Sequence, residues 1–372
     1  MHSILVLIVT FALHPQDARL LCGPASQASR PSSVHDSDTE TTPETSHTSV
    51  ELEFGGAGEL DLHGTLTMPA GPRQEGASEA GVPGLVLLPG SGPTDRDGNQ
   101  KPYLTTDLLK QVAASLAQAG VATLRFDKRA SRPYHERLMA MSVEEQNEFF
   151  AWDMFVGDAQ AALAALRARP EIDAARCGIL GHSEGGLIAL EAARRLKDDQ
   201  PPAALVLAAT PGTDMAAVLR FQLPKVLAPY GKKRSAELMV ELDRIMEHIV
   251  EKRAVPNPIP IQLGAFFPPN CADLLAAELA LDPPALAPFV NCPVLLLYAE
   301  HDIQVPPDMH LELLQDAFEA RAEGACEAVV VPSASHNFKR VDSPKEPGFA
   351  GPVDDACLSA LRSWLRVQLA LD

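Results

Sequence analysis

From residue 84 onward the chain repeats one rhythm: a short apolar run, then a helix-length amphipathic segment. The runs are Gly84–Leu88, Val121–Phe126, Cys177–Leu180, Leu205–Ala208, Val294–Tyr298 and Ala328–Val331. Helical patterns fall at Thr106–Ala119, Trp152–Ala168, Glu184–Lys197, Asp308–Ala322 and Asp354–Ala370. A strand with no polar face has to be covered on both sides, and parallel neighbours need a helix-length crossover between them. The alternation therefore predicts an α/β architecture, a mostly parallel sheet with helices on both faces. In such sheets ligands sit at the carboxyl ends of the strands, so the loops there are the place to look for chemistry.

The flanking segments depart from this rhythm. Val50–Phe54 and Leu60–Thr67 alternate apolar and polar residues around Gly55-Gly56, which is a hairpin signal and brings the expected sheet to eight strands. Between residues 214 and 286 no buried strand is visible, only helical patterns and Pro-rich loops such as PNPIPIQLGAFFPPN. This block is expected to be a helical cap inserted after the sixth strand. Its Phe221, Phe266, Phe267 and Leu274 are candidates for an acyl pocket, although packing of the insertion onto the main domain is the simpler role for each.

At the N-terminus, Ile4–Leu13 is apolar but too short to span a bilayer, and Ser26-Gln27-Ala28 offers a small-residue cleavage site. The expected organisation is a signal peptide over 1–28, a disordered linker over 29–49, core over 50–213, cap over 214–286 and core again over 287–372. Location would then be secreted or periplasmic. A lipoprotein anchored at Cys22 fits less well, because Arg19-Leu20-Leu21 lacks the small residues such a site needs.

Charge and cysteines narrow the partners. A net charge of −18 opposes binding to a nucleic-acid backbone, and nothing suggests a stable membrane span. The 6 cysteines fit no metal-binding spacing. In an oxidising compartment, Cys271–Cys292 or Cys326–Cys357 are possible pairs, while Cys177 sits in a core strand as a small hydrophobe.

The stretch CGILGHSEGGLIALEAARRL carries the sharpest signal. Gly181-His182-Ser183-Glu184-Gly185 lies where an apolar strand meets an Ala/Leu-rich helix, and it matches the G-x-S-x-G turn that presents a serine nucleophile. A serine hydroxyl needs a base, and the base needs an acid to orient it. Asp302 follows the strand ending at Tyr298, and His336 follows the strand ending at Val331, so both fall at carboxyl ends and in the order Ser, Asp, His. Glu300 lies closer to its strand and is the weaker acid candidate. His301 would point elsewhere, and His182 is expected to pack or bond locally. Two backbone N–H groups are expected to face a developing oxyanion, those of Glu184 at the helix start and Ser91 in the loop PGSGPTDRDG. The Glu184 carboxylate is read as a favourable charge at a helix N-terminus. Asp95, Arg96 and Asp97, like Asp127-Lys128-Arg129, are read as charges that hold loops.

Taken together, GSGPTDRDG, FDKR, GHSEGG, AEHDIQVP and SHNF, with LHGTLTMP upstream, resemble the α/β-hydrolases of the bacterial esterase type, related to the serine aminopeptidase, dienelactone hydrolase and prolyl oligopeptidase branches. The resemblance runs from about residue 50 to Phe338. It implies hydrolysis of carboxylic esters by a triad of Ser183, Asp302 and His336 without identifying a substrate. The expectation is a serine esterase for small esters with short or medium acyl chains that needs no metal or organic cofactor. Two departures stand out: Pro-Gly begins the oxyanion loop in place of the commoner His-Gly, and FDKRASRP replaces DKRG-x-G-x-S. The same residues would also serve an aminopeptidase-like peptidase or a thioester hydrolase. A catalytically silent binding protein on the same fold would be expected to have lost a triad member.

Overall fold

The computed structural model describes residues 47–70, 81–321 and 324–371. The expected signal peptide and most of the expected linker lie outside the described residues. The first described residues, His47–Ser49, fall inside the stretch read as linker and pair with Thr67–Pro69 as the start of the first hairpin.

Eight strands form one sheet in the order β1-β2-β4-β3-β5-β6-β7-β8. β1 (His47–Gly55) and β2 (Asp61–Pro69) make the antiparallel hairpin, which joins β4 (Ala122–Phe126) through an antiparallel pair. All later pairings are parallel: β3 (Val82–Leu88), β4, β5 (Ile172–His182), β6 (Leu205–Ala208), β7 (Val294–Ala299) and β8 (Cys326–Val331). β5 is longer than its apolar core suggested, since Asp173–Arg176 extend it on the exposed side.

Successive residues of a strand point to opposite faces, and the core divides accordingly. Leu85, Leu87, Leu295 and Leu297 pack against α1 (Leu108–Gln118) and α11 (Asp355–Gln368). Val86, Leu88, Val294 and Leu296 face the other layer, built on α4 (Trp152–Arg167), α5 (Glu184–Arg195) and α10 (Pro307–Glu319). Two short helices, α2 (His135–Met139) and α3 (Val143–Phe149), follow β4 without having been anticipated. α3 starts on a capping box in which Ser142 Oγ accepts from the Glu145 N–H and the Glu145 carboxylate accepts from the Ser142 N–H.

Between β6 and β7 run α6 (Met215–Leu227), α7 (Lys232–Lys252), α8 (Ala272–Ala280) and α9 (Pro283–Leu286). Phe266, Phe267 and Leu274 are buried in a cluster continuous with the α4–α5 side of the main core. Phe221 is half-buried, with the Lys225 ammonium 4.8 Å from its ring. These side chains therefore pack the segment onto the core; Leu274 alone among them also lines a cavity, described below. No helix among the described residues is long and apolar enough to cross a membrane. Cys177, Cys271, Cys292, Cys326 and Cys357 are free thiols, so neither expected disulfide pair forms.

A buried ion pair ties the loop after β4 to the α4 layer. Arg129 donates to both carboxylate oxygens of Asp158, at 2.8 and 2.7 Å, with side chains only 1% and 2% exposed. It also donates to the carbonyls of Phe149 and Ala57, so the guanidinium is satisfied on several sides. Removing one partner strands a buried charge at a cost of about 3–5 kcal/mol. Arg129→Met is thus expected to lower the unfolding free energy by about that amount in urea denaturation. Arg129→Met combined with Asp158→Leu should recover much of the loss; a fully additive double variant would contradict this account.

Candidate active site

β3, β5, β6, β7 and β8 all end at one edge of the sheet, and the site is assembled from the loops that leave it. Ser183 occupies the step between β5 and α5 at φ 57° and ψ −124°. A non-glycine residue in such a conformation costs on the order of 1–3 kcal/mol, so the surroundings must hold it. They do so through the Ser183 N–H, which donates to Ala208 O on β6 at 2.8 Å, and through Ser183 O, which accepts from the Gly186 N–H at 2.9 Å. The flanking glycines are needed for close approach. A Cβ at residue 181 would collide with the Gly185 carbonyl, and one at residue 185 would come within 2.5 Å of Pro89 O.

Asp302 and His336 are brought together directly. His336 Nδ1 lies 2.7 Å from Asp302 Oδ2, with both side chains almost wholly buried. The other carboxylate oxygen accepts from the N–H groups of Gln304 and Val305, each at 2.8 Å. Burial alone would raise the Asp302 pKa; the His336 ring and the two backbone donors outweigh it and hold the carboxyl below its usual range. An ionised carboxylate only accepts, so His336 Nδ1 carries a proton and, in the neutral ring, Nε2 carries the lone pair. Ser183 and His336 line the same cavity, together with Gly90, Ser91, His182 and Asn337. Among the described residues no hydrogen bond joins the Ser183 hydroxyl to the His336 ring. Glu300, the competing acid, accepts instead from the Ser333 N–H.

His182 has a more specific place than local packing. Its Nε2 lies 2.9 Å from the His336 carbonyl, and the two ring centroids are 4.7 Å apart. Burial, reinforced by the nearby His336, pushes its pKa down to about 3, so the ring is neutral and Nε2–H is the donor. The turn that carries Ser183 is thereby tied to the backbone of the loop that carries His336.

Ser91 lies on the cavity wall, and Glu184 is the first residue of α5, where helix N–H groups have no partner within the helix. The loop carrying Ser91 is held by its carbonyls. Lys128 Nζ donates to Gly90 O at 3.1 Å, while Thr94 Oγ1 and Gln100 Nε2 donate to Ser91 O at 2.8 and 2.9 Å. Further along, Asp95 accepts from the N–H groups of Asp97 and Asn99, Arg96 pairs with Asp127 and Glu51, and Asp97 pairs with Arg125.

Beyond Ser183 the sequence reading missed a buried charge cluster. The Glu184 carboxylate, expected simply to face a helix end, is paired with Lys128, and both side chains are almost fully buried. Glu278 on α8 lies close by, fully buried, and neither of its carboxyl oxygens has a hydrogen-bond partner. Glu184 and Lys128 also line a small cavity with Gly92, Phe155, Cys271 and Leu274. The available signal was ADLLAAELA, a helix in which Glu278 is flanked by alanine and leucine.

Burial, with the adjoining Glu184 charge, pushes the Glu278 pKa well above its ordinary value, and Lys128 offsets this only in part. Once pH passes the ordinary glutamate range, the unfolded chain releases this proton and the folded chain retains it. The folded state then binds more protons, and its stability falls as pH rises. Glu278→Gln removes the ionisation, so its melting temperature should gain on the native chain between pH 4 and pH 8. A difference that stays constant across that interval would contradict a protonated Glu278.

Comparison with known proteins agrees with this architecture. Residues 85–346 match the model of the Alpha/beta hydrolase family. The chain is 28% identical over 244 residues to Esterase EstD of Thermotoga maritima, an alignment covering 66% of this chain and 50% of that protein. The chain thus spans about half the length of that relative. Among solved structures, Est1E from Butyrivibrio proteoclasticus superposes with a TM-score of 0.51 at 14% identity, over 86% of this chain and 99% of that one. A puromycin-hydrolyzing peptidase of Mycobacterium tuberculosis does so with a TM-score of 0.54 at 20% identity, over 90% of this chain and 41% of that one. With the family model spanning most of the chain, on a sheet of this order and a serine at this turn, the protein belongs to the α/β-hydrolase family.

Proposed function

We propose that the protein is a serine hydrolase that cleaves small carboxylic esters through an acyl-enzyme on Ser183. The observation that carries the proposal is the buried Asp302–His336 hydrogen bond at the rim of a cavity whose wall also holds Ser183 in its positive-φ turn. In this reading the Ser183 hydroxyl attacks the ester carbonyl while His336 Nε2 takes its proton. Asp302 keeps the ring in the required tautomer and balances the imidazolium that forms. The carbonyl oxygen becomes an oxyanion and receives hydrogen bonds from the N–H groups of Ser91 and Glu184. Collapse of the tetrahedral intermediate breaks the ester C–O bond, and His336 returns the proton to the departing alcohol. Water then attacks the acyl-serine by the same route, releasing the acid and free Ser183.

Leu104, Leu108 and Leu109 give the cavity an apolar side, which suits a short or medium acyl chain. The helices α6–α9 act as a cap in this scheme, since Leu274 and Cys271 close the space beside Glu184. An ester preference is supported by the similarity to an esterase, and it is tested against the two chemistries open to the same triad.

Ser183→Ala should lower kcat on p-nitrophenyl acetate by about 10⁴-fold or more, the scale seen when a triad nucleophile is removed. Undiminished turnover would refute the assignment. A substrate panel of p-nitrophenyl esters, acyl-thioesters and aminoacyl amides should give the highest kcat/KM with an ester; a markedly higher value with amides would convert the reading to a peptidase.

A further inference from the structure

We infer that Lys128 is a positioning residue that aims the Ser91 oxyanion donor and holds its loop against the start of α5, an inference that rests on the serine-hydrolase reading above. The Lys128 side chain is almost fully buried behind the site, with Nζ 5.1 Å from the Phe155 ring centroid. Its ammonium has two polar partners, one in the loop after β3 and one at the start of α5. One is Gly90 O, at 3.1 Å, and the other is the Glu184 carboxylate. These are the carbonyl of the peptide whose nitrogen belongs to Ser91, and the side chain of the residue whose own N–H is the second donor.

The geometry follows from peptide planarity. The Gly90–Ser91 bond is trans, so its C=O and N–H point in opposite directions. Holding Gly90 O toward Lys128 therefore aims the Ser91 N–H away from Lys128, and both residues of this peptide line the cavity that holds Ser183. The next carbonyl, Ser91 O, is fixed independently by Thr94 and Gln100, so the ammonium sets the one peptide those two side chains leave free. The same ammonium grips Glu184, and the β3 loop is thus held against the start of α5. Glu278 makes no hydrogen bond to the ammonium, whose polar partners are Glu184 and Gly90.

A lysine that merely neutralises a buried glutamate would show the same ion pair, so the test must separate charge balance from aim. Lys128→Met alone strands the Glu184 charge. Lys128→Met with Glu184→Gln removes both charges and still lacks the clamp on Gly90 O. Each variant is assayed with p-nitrophenyl acetate, for thermal unfolding, and for inhibition by an alkyl trifluoromethyl ketone, which forms a tetrahedral oxyanion adduct with a serine.

The double variant should regain thermal stability relative to Lys128→Met yet remain about 100-fold down in kcat, the scale of losing one oxyanion donor, with KM little changed. Its Ki for the ketone should rise in parallel with the fall in kcat/KM. Recovery of kcat along with stability, or a loss confined to KM, would overturn the inference and leave the hydrolase reading intact. Absence of ester turnover and of ketone binding in the native chain would instead overturn the hydrolase reading, and the inference with it.

Discussion

Everything at the site hangs from the parallel register of the sheet. Leu88 pairs with Gly181, His182 with Ala208, and Ala299 with Val331, so these strands stop at one edge within a residue or two of each other. Loops leaving that edge at Pro89, Ser183, Glu300 and Pro332 are consequently neighbours, although they are far apart in the chain. Parallel strands force this arrangement because each must be reached by a crossover that returns the chain to the opposite edge. A hairpin sheet would have distributed the same residues between two ends.

That edge has to be held rigid, and much of the holding is done by buried charge. Three consecutive residues after β4 reach in three directions: Asp127 to Arg96 in the β3 loop, Lys128 to Gly90 and Glu184, and Arg129 to Asp158 on α4. Buried ion pairs add little net stability over apolar packing, but they are directional in a way that apolar contacts are not. Around a serine that sits in a strained turn, direction is what the loops require. Glu278 is the exception in this network, a carboxyl without a hydrogen-bond partner whose pKa is pushed well above its ordinary value by burial and by the Glu184 charge.

The parts of this architecture that were legible in the sequence are those written locally. The central strands carry short apolar runs and the flanking helices are amphipathic segments, so β6 was found to the residue and α4, α5 and α11 nearly so. α2 and α3 were missed because RPYHERLMAMSVEEQNEFF has no long apolar stripe, although the Ser142/Glu145 capping box was there to be read. Ser183, Asp302 and His336 could be singled out because the turn motif and the strand ends give their positions and order. The partners of Asp127, Lys128 and Arg129 could not be, since each lies in another loop or helix and nothing in FDKR says which. The burial of Glu278 was hidden for the same reason: it depends on how α8 packs against α4, α6 and α7, a property of packing rather than of local pattern.

The central claim, that Ser183 is an activated nucleophile, is tested most directly by mapping a covalent adduct. The folded chain would be treated with a fluorophosphonate, digested, and analysed by mass spectrometry. The account predicts a single adduct on the peptide containing Ser183, lost when the protein is unfolded before treatment. An adduct on another residue, or ester turnover that persists with Ser183 unlabelled, would contradict it.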